Sequence, residues 1–75
     1  MGVARAVIEI LEPYVGRMVA DTCIRGTAIS LGKTSGDLSA EDLPTIEGNV
    51  RRMLSPIAPA STVDGLVERI RGAAE

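Results

Sequence analysis

Between its glycines and prolines this chain repeats one pattern, apolar residues three and four positions apart. Residues 3 to 14 carry Val3, Val7, Ile10, Leu11 and Tyr14 at that spacing. Residues 43 to 54 carry Leu43, Ile46, Val50, Met53 and Leu54, and residues 63 to 70 carry Val63, Leu66, Val67 and Ile70. The period fits the 3.6-residue turn of an α-helix, not the two-residue alternation of a strand. With no strand pattern or repeat competing, the sequence predicts an all-α fold: a small bundle of three to four helices, in a single helical domain over residues 1–75. The first helical region is expected to be long and kinked near Pro13, because proline lacks the N–H of the helix ladder and its ring crowds the preceding turn.

The stretch from Tyr14 to Leu31 differs from the others in having two apolar faces. Val15, Met18, Val19 and Thr22 form one, and Ala20, Ile24, Ala28 and Leu31 form another. A helix apolar on more than one side is either wrapped by neighbours or meets another chain. Size favours the second outcome. Ordering 75 residues costs roughly 110 kcal/mol at about 1.5 kcal/mol each. The apolar residues that must offset this are small aliphatics with one Tyr and no Phe or Trp. The expected partner is therefore a protein, a second copy or a larger chain, and the expected contact residues are Tyr14, Met18, Ala20, Ile24 and Ala28. Small residues at spacing four, Gly16 with Ala20 and Thr22 with Gly26, would let a second backbone approach closely.

The punctuation between helices is also readable. Gly32 sits where a helix C-terminal glycine belongs, and Ser35-Gly36-Asp37 is turn chemistry. Ser39 is placed to cap the next helix, with Glu41 and Asp42 at its positive end and Arg51 and Arg52 at its negative end. Pro44 delays the regular helix by a turn. Glu47 and Arg51 are expected to pair along its outer face. "SPIAPA", residues 55 to 60, ends that helix, with Ile57 expected to pin the connection to the core. Ser61, followed by Asp64, is expected to cap the last helix.

The candidates for chemistry are few. "GTAISLGKT" resembles a phosphate-cradling loop, but five residues separate Gly26 from Gly32 where four are required. The stretch also leaves a helix rather than a strand. The acidic run "DLSAED" lacks the calcium-loop pattern, since the sixth position from Asp37 is Asp42 and the twelfth is Gly48. With no His in the chain, histidine-based acid–base catalysis and histidine-ligated metal sites are excluded. Cys23 is the one thiol and lies between apolar neighbours, as a buried structural cysteine would. The carboxylate pairs Glu9 with Glu12 and Glu41 with Asp42 sit where solvated helix faces or helix starts would put them. No catalytic residue, cofactor or metal is expected, and the chain is read as a non-enzymatic protein–protein interaction or structural module.

Two other readings are carried beside it. "EDLPTIEGNV" loosely resembles the segment of acyl carrier proteins that opens their second helix, and "STVDGLVERI" resembles their last helix. That likeness implies a four-helix carrier domain whose phosphopantetheine arm is attached to a serine. The aligned position here is Asp42, so Ser39, in the order Asp-Leu-Ser, would be the attachment point. The other reading is a small DNA-binding helical domain. Eight basic residues against ten acidic ones, dispersed along the chain, give a net charge of −2 and argue against nucleic acid as a partner. Arg17, Asp21 and Arg25 interrupt the longest apolar region, so no membrane span is expected, and a cytoplasmic location is.

Overall fold

The computed structural model describes residues 2–74, and within them the chain forms four α-helices and no strand. They are α1 (Val3–Val15), α2 (Arg17–Ser30), α3 (Leu43–Leu54) and α4 (Ala60–Ala74). Each helix packs on two neighbours, α1 on α2 and α4, and α3 on α2 and α4. The all-α bundle expected from the periodicity is what forms.

The core is a single cluster of aliphatic side chains drawn from every helix. Val7 and Leu11 enter from α1, Ile46, Val50 and Leu54 from α3, and Leu66, Val67 and Ile70 from α4. The contribution of α2 is smaller in volume: Ala20, Cys23, Ile24 and Ala28. Small side chains on that face let α2 sit close to its neighbours, since packing distance between helices follows the side chains at the contact.

The first helical region is interrupted, but at Gly16 rather than at Pro13. Pro13 lies inside α1 in its last turn, where it removes one ladder hydrogen bond. Gly16 adopts φ 84°, ψ 161°, a backbone region essentially closed to residues with a Cβ. Ladder bonds continue on both sides of this one-residue joint: the Gly16 N–H donates to the Glu12 carbonyl at 2.9 Å, and the Ala20 N–H to the Gly16 carbonyl at 3.1 Å. The elbow is therefore made by one residue with little loss of hydrogen bonding.

The end of α2 explains the "LGKT" sequence. Gly32 has φ 70°, its N–H donates to the Ile29 carbonyl at 3.0 Å, and the Lys33 N–H donates to the Ala28 carbonyl at 2.8 Å. This is the Schellman arrangement, in which a left-handed glycine lets two amides satisfy the last carbonyls of the helix. Beyond it, Ser39 and Asp42 form a capping box around the 3-10 turn Ala40–Asp42, and α3 begins at Leu43 with Pro44 in its first turn, delayed as the sequence predicts.

Three local expectations are corrected. Helix α4 begins at Ala60, so Ser61 lies in its first turn rather than capping it. Ile57 is 69% exposed, and Ala58 packs on the core in its place. Glu47 does not pair with Arg51. Its carboxylate takes two hydrogen bonds from Arg71 of α4, at 2.8 and 3.1 Å, while Arg51 reaches Asp64 at 2.6 Å. Both acidic residues therefore tie α3 to α4, between helices rather than along one.

Candidate functional site

Helix α2 divides the expected contact residues in two. Ala20 and Ile24 have no exposed surface and Ala28 is 2% exposed, so this face belongs to the domain's own core and is corrected as a contact surface. The reason is size: two alanines flanking one isoleucine present a face shallow enough for neighbouring helices to close over. Met18, in contrast, is 83% exposed, and Tyr14, just before the elbow, is 57% exposed. Val19 also reaches solvent, and Thr22 lies exposed with its hydroxyl donating to the Met18 carbonyl at 2.8 Å.

The exposed face extends further than the sequence reading placed it. Ile29 is 74% exposed and was not among the expected contacts. At about 100° per residue, eleven residues bring Ile29 to within about 20° of Met18 around the helix. Thr22 and Gly26 fall between them, so Met18, Thr22, Gly26 and Ile29 form one outward stripe along α2. That periodicity was available in the sequence, but Ile29 stands beside Ala28, whose inward face masks it. Asp21 and Arg25 line one edge of the stripe and pair with each other at 3.0 Å, the Arg25 side chain largely in solvent and that of Asp21 partly so.

On the other edge, between α2 and α3, lies an open groove of about 450 Å³ lined by Thr22, Gly26, Ser30, Asn49, Arg52 and Met53. Its floor is held by polar contacts. The Thr27 hydroxyl, fully buried, donates to the Cys23 carbonyl at 2.9 Å and accepts from the Asn49 side-chain amide at 2.8 Å, fixing α3 against α2. A Cβ added at Gly26 would meet nothing within 4 Å, so this glycine leaves an open, shallow waist in the surface.

The other candidates carry structure rather than chemistry. The Lys33 ammonium bonds both oxygens of Asp42, at 3.0 and 3.1 Å, and Asp42 also accepts the Ser39 N–H at 3.0 Å. These bonds, the Ser39 amide first and Lys33 next, hold the Asp42 carboxyl below the usual aspartate range. Lys33 thus anchors the start of α3. The amides of Gly32 and Lys33 are committed to helix carbonyls and do not form a phosphate cradle. Ser39 is half-buried and engaged in its capping box. Burial raises the Cys23 thiol above its ordinary range, which disfavours the nucleophilic thiolate.

Charged side chains are mostly paired. Arg5 faces Glu9, Arg17 faces Glu12, Arg25 faces Asp21, Lys33 faces Asp42, Arg51 faces Asp64, and Arg71 faces Glu47 and Glu68. Among the described residues, Arg52 and Arg69 are the basic side chains outside such pairs. No group of three or more potential metal ligands occurs among them, and no helix is long and apolar enough to cross a membrane. No protein-family model matches the chain, nor does any curated protein or solved structure.

Proposed function

We propose that this protein is a helical docking module, and that its contact surface is the outward face of α2 with the elbow beside it: Tyr14, Met18, Val19 and Ile29. One observation carries the reading. Of the large apolar residues that reach solvent, Met18 and Ile29 stand on a single helical stripe at 83% and 74% exposure with Tyr14 and Val19 beside them, whereas Ile57 stands apart on the connection between α3 and α4. Isolated exposed apolar residues are ordinary, but several aligned on one face mark an interaction surface. The paired state of six of the eight basic side chains supports a protein partner over nucleic acid, because no clustered positive surface remains to neutralise phosphates.

The surface acts by burial. A partner that covers Met18 and Ile29 removes apolar area from water, and the narrow waist at Thr22 and Gly26 lets its backbone come near. Photocrosslinking inside cells tests this. A photoreactive amino acid at position 18 or 29 is expected to form a covalent adduct with a protein, while the same group at position 65, exposed on α4, forms none. Absence of any protein adduct from positions 18 and 29 would contradict the reading.

A further inference from the structure

We infer that the occupant of this surface is a second copy of the same chain, with the two α2 helices packed antiparallel about a two-fold axis near residues 23 and 24. The inference rests on the docking reading and adds the identity and geometry of the partner. In a two-fold dimer one patch must be complementary to itself, so that whatever one residue meets, its counterpart also meets in reverse. The stripe on α2 satisfies that condition.

Antiparallel pairing about this axis sets Met18 opposite Ile29 of the second copy, and Ile29 opposite its Met18. The two large apolar side chains thus meet at both ends of the contact. At the centre Thr22 faces Gly26, where the absence of a side chain on Gly26 allows the helices to cross closely. Along one edge Asp21 falls opposite Arg25 of the other copy, and Arg25 opposite its Asp21. The three pairings agree in register to within one residue. Parallel packing would instead set Met18 on Met18 and carry the Asp21–Arg25 edge to the side away from its counterpart, so that the charge exchange would be lost.

Charge and size point the same way. The chain carries a net −2, so two copies repel, yet the stripe is edged by one acid and one base whose antiparallel exchange is attractive. The 14 residues of α2 span about 21 Å, close to the 22 Å intermediate dimension of the domain. A contact confined to its length, with Tyr14 at the rim, is small beside the specific interfaces that bury about 1,200 Å² or more in total. Self-association of modest affinity is the expected consequence.

Sedimentation equilibrium from about 1 μM to about 1 mM protein, with charge-exchanged variants, tests this. Asp21→Arg places two arginines opposite two arginines, and Arg25→Asp places two aspartates opposite two aspartates. Each variant alone is expected to weaken the dimer by about tenfold or more, and an equimolar mixture is expected to restore wild-type association as a heterodimer. Far-UV circular dichroism checks that both still fold. Ile29→Lys, at a site already in solvent, gives a second disruption independent of the Asp21–Arg25 pair. A wild-type chain monomeric throughout the range, charge variants that associate like wild type, or a mixture that fails to recover would each overturn the inference. The photocrosslink separates this failure from failure of the docking reading. An adduct at position 18 with a different protein would overturn the dimer and leave the docking surface standing, whereas no adduct at all would remove both.

Discussion

The elbow at Gly16 offers a direct test of why α2 faces as it does. Replacing Gly16 by alanine adds a Cβ that would meet no atom within 4 Å, so steric contact with the rest of the protein contributes nothing. What remains is the backbone. At φ 84° and ψ 161° a residue with a side chain is strained by about 1–3 kcal/mol. Gly16→Ala is therefore expected to destabilise the fold by about 2 kcal/mol, which in a domain of this size lowers the melting temperature by roughly 8–16 °C. The same chemical change at Gly48 in α3 and Gly65 in α4 should act in the opposite direction. Both glycines lie in helix interiors with open space around them, and alanine there is expected to stabilise by about 0.5–1 kcal/mol. Urea and thermal unfolding of the three variants, at one fixed protein concentration so that association does not confuse the comparison, gives the answer. If Gly16→Ala stabilised the protein as much as the two controls, the one-residue elbow would not exist in solution, and the separation of α1 from α2 would have to be abandoned.

Other consequences follow from the burial of particular groups. Ile24→Ala is expected to cost about 2–5 kcal/mol, and Met18→Lys to change stability by less than about 0.5 kcal/mol at concentrations below dimerisation, as judged by urea unfolding. Equal costs at the two positions would mean that α2 is turned differently. Asp42 has a depressed folded pKa, so its contribution to stability is complete above the ordinary aspartate value of about 3.9 and is lost as pH falls through the lower folded value. Melting curves taken between about pH 6 and about pH 2.5 should accordingly fall more steeply for wild type than for Asp42→Asn, and parallel curves would contradict that assignment. Cys23, 3% exposed, is expected to react with a thiol reagent at the rate at which the protein opens and to react fully in denaturant; rapid labelling of the native protein would contradict its burial.

Much of the fold is written in local spacing, and what is not written has identifiable causes. The helices follow from apolar periodicity, and Gly32 and Ser39 perform the capping roles their residue types suggest. Local rules point to Pro13 rather than Gly16 as the break, because proline is the stronger helix breaker. In the last turn of α1, however, proline costs one hydrogen bond, while only glycine can make the turn that follows. The two faces of α2 were legible as faces, but which of them points inward depends on how closely α1 and α3 approach. That is a tertiary property, and it selected the alanine-rich face over the face with bulkier residues. The ties from Glu47 to Arg71 and from Arg51 to Asp64 join residues of different helices, and no local rule for pairing could have found them.

A docking role for α2 requires that its outer face be covered when the protein is at work. Hydroxyl-radical footprinting read by mass spectrometry, on the protein in cells and on the same protein diluted after purification, compares Met18 and Ile29 with Ile57, a side chain of similar exposure far along the chain. Slower labelling of Met18 and Ile29 in cells, with Ile57 labelled equally in both states, is the predicted result. Labelling of all three at undiminished rates in cells would contradict the claim that this face is a contact surface.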